Sequence, residues 1–495
     1  MPTAIIVGGG LAGMVIAREL ASRQWRVTIL ERSPRLGGKA GSDLKNGRRV
    51  EHGYHVFPQW YPNVRAILAR IGVQLIDFDR YYFVRLSEYP RLITVRGVSG
   101  PKAVYHNIFR GLLPWYHNIL YFYSVIDMLS RPLSETRLLD HVSHIGLMRA
   151  AWYVSESVAE LHQENVLKAT AIPAYDISAM TIKRFLGYWV RQAHPFLSVL
   201  PGDLQDVFIE PQVRELEALG VDIRHGAEVT GVRVHDGAVA SVRLRDGSEV
   251  SGDVFALCTP FEVTRKWVTD ELYALDPALG NMHLLEAQPM AALHLRLRHR
   301  IPHLPKEHVF LHRSHYGLSF IDISQVWEVS AQSPSANRRT GGRSWSEEKT
   351  ELSCIASNYA PLASLSDEGA KDALIEEIAE YLPIKASDVE SWEINPNTQV
   401  PLFINTIGAW PNRPRAQSQV RNLYLAGDFV KNGIDLACME GAVSAALEAA
   451  GKILGDAGET GGLPVARMPP VWPRGLLVAA RLGFAPSVAL VRTIA

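Results

Sequence analysis

The stretch Ala4-Ile5-Ile6-Val7-Gly8-Gly9-Gly10-Leu11-Ala12-Gly13 decides the fold of this chain. The apolar run predicts a buried β-strand, the glycines predict a tight turn, and Leu11–Ser22 has the pattern of a helix. A second apolar run, Trp25–Leu30, ends at Glu31. Strand, turn, helix, second strand and acid in this register predict a βαβ unit of the Rossmann type, which binds a dinucleotide.

Each part of the glycine turn has a distinct physical role. Gly8 permits the tight turn, Gly10 lets the backbone approach a pyrophosphate, and Gly13 lets helix and strand pack closely. The start of the helix, at Leu11 and Ala12, supplies unpaired N–H groups and the positive end of the helix dipole to the phosphates. We therefore expect all five residues at the cofactor.

The end of the second strand indicates which dinucleotide is bound. Glu31, followed by Arg32, lies where ribose hydroxyls are bound, and a carboxylate there argues against an NADP 2′-phosphate. The next glycine pair, with Gly38 and Lys39, resembles the pyrophosphate and ribityl contact of FAD-dependent amine oxidases and phytoene desaturases. A P-loop is excluded, because Ala40 stands where Ser or Thr must meet magnesium. An ordinary left-handed turn is the alternative interpretation.

Length and composition limit the remaining possibilities. A chain of 495 residues predicts two connected domains rather than one core. Lys+Arg and Asp+Glu are equal at 51 each, so we expect no nucleic-acid partner. The three cysteines are scattered without CxxC spacing, which fits a reducing compartment. The start of the chain does not have the pattern of a signal peptide, and we expect no membrane-spanning stretch and no metal site.

Two later segments carry a resemblance to a known family. Glu51–Phe57 (EHGYHVF) followed by Tyr61–Asn63 (YPN) is similar to a segment of plant-type and cyanobacterial phytoene and ζ-carotene desaturases. Asn422–Asp428 (NLYLAGD) and Met439–Val443 (MEGAV) resemble the C-terminal motifs of that family. Tyr54 stands where the family has leucine, which leaves the identity of the substrate open.

The resemblance implies an α/β fold, with a Rossmann-type FAD-binding domain and an inserted α+β substrate domain. It implies that Asp428 holds the ribityl chain or pyrophosphate, that the helix beginning at Met439 addresses the flavin pyrimidine, and that Val229 lies at the adenine. The cofactor-binding residues predicted from the glycine turn and from the resemblance are Gly8, Gly10, Leu11, Ala12, Gly13, Glu31, Arg32, Gly38, Lys39, Gly53, His55, Val229, Gly427, Asp428, Met439 and Ala442.

We divide the chain accordingly into six segments. FAD-binding parts are expected at 1–80, 200–262 and 415–455, a helical substrate- or membrane-facing segment at 81–199, a substrate-domain sheet at 263–414 and an amphipathic tail at 456–495. The histidines around His312 are interpreted as strand-surface residues rather than metal ligands, since no carboxylate or cysteine lies at ligand spacing.

The predicted function is FAD-dependent desaturation of an apolar isoprenoid or carotenoid-like molecule, by hydride transfer to flavin N5. His55 is the candidate general base or hydrogen-bond anchor, with Tyr54 and Glu51 as its catalytic neighbours. No second nucleotide motif is visible, so quinone or oxygen is expected to reoxidise the flavin. The alternatives are a flavin amine oxidase, a squalene-pathway-type dehydroxylase, and a non-catalytic module that needs FAD only to fold.

The tail predicts an attachment site. Arg474, Arg481 and Arg492 fall near one face of an ideal helix, with apolar residues elsewhere and Pro486 within it. Such a helix either binds anionic lipid or docks on the body of the protein, and we expect the lipid. The expected location is cytoplasmic, peripheral on the inner face of the membrane.

Overall fold

The computed structural model describes residues 1–45, 48–98, 100–132, 136–190, 195–331, 349–459, 462–463, 465–466 and 473–495. The strands of this part of the chain are, in order, β1 Thr3–Val7, β2 Arg26–Glu31, β3 Asp43–Lys45, β4 Arg48–Val50, β5 Ile76–Phe78, β6 Arg80–Val84, β7 Leu92–Arg96, β8 Leu197–Val199, β9 Asp222–His225, β10 Val229–His235, β11 Ala238–Leu244, β12 Glu249–Val250, β13 Val254–Leu257, β14 Glu286–Gln288, β15 Ala291–Leu297, β16 Val309–Leu311, β17 Leu318–Asp322, β18 Glu351–Ala356, β19 Val389–Pro396, β20 Leu402–Ile404 and β21 Leu423–Leu425.

The α-helices of the same residues are α1 Leu11–Ala21, α2 Pro62–Arg70, α3 Pro101–Arg110, α4 Trp115–Ser130, α5 Thr136–Asp140, α6 His144–Arg149, α7 Glu156–Thr170, α8 Ala179–Trp189, α9 Glu210–Ala218, α10 Phe261–Thr264, α11 Asp270–Leu275, α12 Pro277–Gly280, α13 Ile323–Ala331, α14 Asp367–Tyr381, α15 Ala409–Asn412, α16 Met439–Asp456 and α17 Arg474–Arg492.

The nucleotide half is built on a parallel sheet with the strand order β21-β13-β1-β2-β9. Four of its strands are mainly apolar and buried, and α1 and α16 pack against each other and against these strands, whereas the edge strand β9 is polar and largely exposed. The antiparallel meander β10-β11-β12 is attached to it. The α/β fold predicted from the sequence is confirmed, and β1, α1 and β2 lie within one residue of their predicted positions at almost every end.

A second sheet forms the substrate half, with the order β19-β15-β18-β17-β16-β6-β7. Its pairs are antiparallel except that of β16 with β6, in which Val309 lies opposite Tyr82. Strands β6 and β7 fall in the segment expected to be helical from residue 81, so the structure differs from that expectation at its start. The helices of the segment begin only at Pro101, because β6 pairs with β16 more than 200 positions away and β7 pairs with β6.

The tail forms α17, which packs along α4. Arg481 pairs with Asp127 on α4 at 3.2 Å, and Arg474 donates to the Ser130 carbonyl at 3.3 Å. The Nε atom of Arg492 is buried as well. Of the two alternatives for these arginines, the contacts of Arg474 and Arg481 favour docking on the body of the protein, with Arg474 itself exposed, and binding to anionic lipid stays a prediction.

The outward side of α17 is apolar instead. The large exposed apolar residues of the helix are Leu476, Leu482, Phe484 and Leu490, and Ile494 follows its end. By length and composition alone, α17 is long and apolar enough to cross a membrane, with a mean hydropathy of 1.4. This differs from the expectation that no stretch of the chain reaches that threshold, although length and hydropathy alone are weak evidence of a span.

Candidate active site

The glycine turn has the close contacts that its sequence predicts. A Cβ at Gly13 would lie 2.0 Å from the Gly8 carbonyl oxygen, and a Cβ at Gly8, where φ is +102°, would lie 2.9 Å from the Cys258 oxygen. At Gly10 the nearest heavy atom to such a Cβ is the Gly38 Cα at 3.9 Å. Glycine is thus required at Gly8 and Gly13 because a side chain would clash with the protein backbone, whereas the space beside Gly10 is open for a ligand.

The strand-end acid is held in place by backbone donors. Glu31 Oε2 accepts from the Gly9 N–H at 2.7 Å, and Oε1 accepts from the Ser33 N–H at 2.8 Å. Each carboxylate oxygen keeps a free lone pair, so both can still accept a ribose hydroxyl. The second glycine pair is tied to the turn, because Gly37 N–H donates to the Gly9 carbonyl at 2.8 Å.

Lys39, next to the second glycine pair, has a partner within the protein. Its ammonium group donates to the Pro401 carbonyl at 2.7 Å, which ties the second glycine pair to the loop before β20. A contact of Lys39 with the cofactor stays a prediction. The side chain nevertheless lines the cavity described below, so the ammonium contributes positive charge close to where the phosphates are expected.

The loop that carries Asp428 is held in place by hydrogen bonds from a buried arginine. Arg413 is fully buried and donates to the carbonyls of Asp428, Phe429 and Val430 at 3.1, 2.8 and 2.9 Å. It also forms an ion pair with the buried carboxylate of Asp435. Among the described residues, no donor is bonded to the Asp428 carboxylate, which lines the cavity. The sequence analysis did not single out Arg413.

The start of α16 is joined to the start of α2 by one carboxylate. Glu440 accepts from the Asn63 side-chain amide at 2.7 Å and from the Val64 N–H at 2.9 Å. Burial raises the pKa of Glu440 to about 7, although these donors oppose the shift. The neighbouring Cys438 caps α16 through its Sγ, which accepts from Gly441 N–H at 3.4 Å. The helix start that was predicted to address the flavin is therefore rigidly positioned.

One continuous cavity of about 1950 Å³ connects these elements with the helical segment. Typical ligand pockets hold roughly 300–1000 Å³, so this cavity has room for more than a dinucleotide. The predicted cofactor residues that line it are Gly8, Gly10, Leu11, Ala12, Glu31, Arg32, Gly38, Lys39, Gly53, His55, Val229, Gly427, Asp428, Met439 and Ala442. Gly13 does not line it, because it lies beneath the turn.

The far part of the cavity is walled by α3, α4, α8, α17 and the second sheet. Its lining is aromatic and aliphatic, with Tyr81, Phe83, Tyr105, Phe109, Leu112, Ile119, Phe122, Ile126, Phe185, Trp189, Phe196, Phe310, Phe484, Val488 and Val491 among the residues. Tyr105 is 64% exposed and Phe484 is 55% exposed. Lining residues this exposed mark an opening to the surface between α3 and α17.

Where the two halves meet, Tyr54 contacts the second sheet. Its hydroxyl is hydrogen-bonded to Nε2 of His308 and to Oγ of Ser319, the latter at 2.8 Å. Burial raises the pKa of Tyr54 well above its usual range. Burial, assisted by the ammonium of Lys168, lowers the pKa of His308 to about 3. Both groups are neutral near pH 7, so this part of the wall carries hydrogen-bonding groups without charge.

His55 and Glu51 lie side by side, but only His55 reaches the cavity. Glu51 Oε2 is 3.5 Å from His55 Nδ1, and Glu51 Oε1 accepts from the Leu204 N–H at 2.8 Å. A catalytic group must touch substrate or cofactor, so the prediction that Glu51 is catalytic is not supported by this geometry. Glu51 is placed to position His55.

Several cavity residues were missed by sequence analysis. His308 lies at the start of β16, in the group of histidines interpreted as strand-surface residues, yet it is buried. The side chain of His312 is only partly exposed, and its Nδ1 is bonded to Glu164 at 2.7 Å. Strand alternation shows which residues share a face, but it does not show which face is covered. Among the described residues, no group of acids, histidines and cysteines is arranged to hold a metal.

The residues present fit a flavin dinucleotide. The space beside Gly10 would be filled by a Cβ, and the Asp428 carboxylate, which lines the cavity, has no donor among the described residues. The family model for flavin containing amine oxidoreductase matches residues 194–454, and a model for an NAD(P)-binding Rossmann-like domain matches residues 6–71.

The chain belongs to the flavin-containing amine oxidoreductase family. This flavoprotein oxidoreductase is similar to 15-cis-phytoene desaturase from Solanum lycopersicum, with 22% identity over 465 residues that cover 89% of this chain and 75% of the relative. It is also 22% identical over 491 residues to a probable zeta-carotene desaturase from Synechococcus elongatus, covering 91% of this chain and 98% of the relative. It is thus a phytoene desaturase-like member of the family, with FAD as cofactor.

Solved structures agree on the fold. Cyclohexylamine oxidase from Brevibacterium oxydans matches with a TM-score of 0.68 and 14% identity, over 92% of this chain and 100% of that chain. At this identity the likeness shows the fold alone. When FAD is bound to the present chain, the cofactor would supply two-electron oxidation. The chain would hold it with the glycine turn, Glu31 and the start of α16, while Arg413 keeps the Asp428 loop in place and the aromatic wall excludes water.

Proposed function

We propose that this oxidoreductase desaturates an apolar isoprenoid or carotenoid-like chain. The observation that carries the proposal is the continuous cavity, which leads from the dinucleotide residues to an aromatic and aliphatic arm that opens between α3 and α17. A long hydrocarbon gains free energy in proportion to the apolar area it buries, at about 25 cal/mol per Å². An arm of this size and composition is suited to such a chain.

The distribution of charge favours this proposal over amine oxidation. The acidic residues among those lining the cavity are Glu31, Asp43, Glu228 and Asp428, all on the dinucleotide side. The arm instead contains the ammonium of Lys168, whose side chain is 2% exposed. Because this ammonium already pairs with Glu164, a protonated amine entering the arm would be desolvated without a free carboxylate among the lining residues there, which is unfavourable.

In the proposed reaction the substrate loses a hydride to the flavin and a proton to the protein or to water. His55 is the proposed base or anchor, with Tyr54 beside it and Glu51 behind it. The remaining wall keeps water away from the reacting carbons. Quinone or oxygen is the proposed electron acceptor, in line with the apolar route by which a lipid-soluble quinone would enter.

Attachment to a lipid surface is part of the proposal. Val98, Tyr105, Phe109 and Phe484 are exposed and line the cavity, Trp115 is exposed and stacks on Phe109, and α17 further exposes Leu476, Leu482 and Leu490. Because α17 has one face on α4 and the other outward, we propose that it lies in the plane of the membrane rather than across it. The proposed location is the cytoplasmic face of the membrane, where the opening would meet the acyl chains.

Anaerobic mixing tests the reaction. The FAD-bound protein is mixed with liposomes that contain phytoene, with empty liposomes, and with a soluble alkyl amine. Bleaching of the flavin by phytoene liposomes alone is the expected result. Bleaching by the amine would show an amine oxidase, and bleaching by neither substrate would contradict the desaturase proposal.

Flotation with vesicles tests the attachment. Replacing Leu476, Leu482 and Leu490 together with glutamine should lower binding to neutral and to anionic vesicles alike, since each leucine contributes about 1.5–3 kcal/mol when fully buried. Salt should have little effect on the wild type. The matched control is Arg481→Gln, which should leave vesicle binding unchanged; binding that depends on Arg481 and on salt would favour electrostatic attachment instead.

A further inference from the structure

A tyrosine hydroxyl without a partner faces the apolar arm of the cavity. Tyr81, on β6, lines the arm deep inside the protein. Its hydroxyl makes no hydrogen bond within the described part of the chain, yet it is not one of the unpaired polar atoms that lack accessible surface. The surface that this hydroxyl keeps is therefore turned toward the cavity. Buried polar groups are nearly always paired, so a bound molecule is the natural partner.

A second polar group in the arm is formed by Tyr121 on α4 and Asn165 on α7, which both line the cavity. The Asn165 amide donates to the Tyr121 hydroxyl oxygen at 3.1 Å, which leaves the Tyr121 O–H without an acceptor among the described residues. If the amide is rotated so that Tyr121 donates to it, both amide N–H groups are free instead. In either arrangement the pair keeps a donor for a ligand.

The two phenols lie close enough to influence each other, and both are uncharged. Burial raises the pKa of Tyr81 strongly, and Tyr121 adds to that shift. Burial also raises the pKa of Tyr121, although the hydrogen bond from Asn165 opposes it. Both hydroxyls therefore keep their protons near pH 7 and can donate them.

The rings that carry the hydroxyls are held by aromatic neighbours. Tyr81 stacks on Phe196, with the ring centroids 5.4 Å apart, and Tyr121 packs on His162 at 4.7 Å. The hydroxyls are thus presented by a strand and a helix that are already in place. A ligand that accepts from them loses little free energy in ordering the protein.

The charges beside this pair of hydroxyls select an uncharged ligand group. The Lys168 ammonium already donates to Glu164 at 2.6 Å and to the Leu311 carbonyl, so it is not free for an anion. The negative charge of Glu164 contributes to the raised pKa of Tyr81, which means that it acts at the Tyr81 hydroxyl. A carboxylate would lose its hydration beside a like charge. A neutral oxygen with two lone pairs can accept from both phenols.

We propose that the arm binds an apolar chain that carries an uncharged oxygen, as a ketone or a hydroxyl, and that this oxygen accepts from the hydroxyls of Tyr81 and Tyr121. The apolar character of the chain rests on the proposed function, whereas the oxygen rests on the unused donors in the arm. A plain hydrocarbon would leave these donors unpaired in an enclosed space, which is unfavourable.

Competition between two matched ligands tests this inference with the FAD-bound, oxidised protein. Farnesylacetone, and the hydrocarbon in which a methylene replaces its carbonyl, each displace the fluorescent apolar probe diphenylhexatriene. The ketone should bind about fivefold more tightly for each net hydrogen bond that it accepts. In the infrared spectrum, the carbonyl stretching band of the bound ketone should lie at lower frequency than in hexane. The matching fatty acid should show no such advantage over the hydrocarbon.

Two variants that remove only an oxygen assign the effect to these phenols. Tyr81→Phe and Tyr121→Phe should each lower the preference for the ketone and return the carbonyl band toward its position in hexane. The matched control is Tyr82→Phe, since Tyr82 is the next residue of β6 but packs against the core of the second sheet, outside the cavity. The control should keep both the preference and the band position.

Equal binding of ketone and hydrocarbon by the wild type would overturn the proposal, as would a preference that survives in the double variant of Tyr81 and Tyr121. Failure of both ligands to displace the probe would overturn it as well. Because binding is measured before any electron transfer, absence of flavin bleaching would contradict the desaturase proposal without affecting this one.

Discussion

Replacing Gly10 with valine tests the placement of the cofactor most directly. A Cβ at this position meets no protein atom closer than the Gly38 Cα at 3.9 Å, and the backbone φ of −71° is ordinary for any residue. Gly10 is the N-cap of α1, where valine costs roughly 1 kcal/mol of stability. The branched side chain would extend into the space where the pyrophosphate is expected. Overpacking there costs about 1–3 kcal/mol, so FAD affinity should fall about tenfold to a hundredfold.

The assay for Gly10→Val is FAD retention after dialysis together with fluorescence titration of the apoprotein. The matched control is Gly231→Val in β10, where a Cβ also meets nothing within 4 Å but the residue lies outside the cavity. The control should bind FAD as the wild type does, and both apoproteins should melt within a few degrees of it. Full flavin occupancy in Gly10→Val would refute the assignment of this turn as the pyrophosphate site.

Three further substitutions probe the supports of the site. Asp428→Ala should weaken FAD affinity about tenfold by fluorescence titration while the apoprotein keeps its melting temperature, because the carboxylate has a charged hydrogen bond to lose only when FAD is bound; unchanged affinity would count against its role. Arg413→Ala should lower the free energy of unfolding in urea by about 1–3 kcal/mol, since three buried carbonyls lose their donor and Asp435 keeps only Arg184 as a cation; a loss well below about 1 kcal/mol would show that Arg413 is dispensable. In Glu440 the folded-state pKa of about 7 lies above the ordinary 4.5, so the native state holds a proton that the unfolded state releases. Its contribution to stability is therefore present below pH 4.5 and lost as pH rises to about 7, and Glu440→Gln should flatten that part of the unfolding profile.

The nucleotide half was predictable from sequence because its signals are local. The glycine spacing, the apolar run of β1 and the acid at Glu31 all lie within one βαβ unit, and the chemistry of a pyrophosphate site requires them in that order. The structure adds the reasons, since Gly13 has no room for a Cβ and Gly10 has room for a ligand. The hydrogen bonds that fix Glu31 to Gly9 and Ser33 are local in the same sense.

The substrate half was less predictable because its contacts are distant in sequence. β6 pairs with β16 across more than 200 residues, and no local pattern indicates that partnership. His308 becomes part of the wall only because Tyr54, 254 positions earlier, is brought against it. The role of Arg413 was not predictable either, because it donates to backbone carbonyls of the loop at Asp428, and backbone carbonyls carry no sequence signal.

The tail illustrates why a helical pattern leaves the direction of a face undecided. The spacing of Arg474, Arg481 and Arg492 shows that they share a face, and by itself that face suits lipid phosphate and buried carboxylate equally. The deciding partner is Asp127, which is buried on α4 and accepts from Arg481, Arg131 and the hydroxyl of Tyr153. Arg131 and Tyr153 both donate to Oδ2 of Asp127, whereas Arg481 donates to Oδ1, and pairing this buried oxygen is worth more than an exposed arginine gains from a screened surface. The apolar face is then left outward beside the opening of the cavity, and attachment to a lipid surface should depend on apolar area rather than on salt.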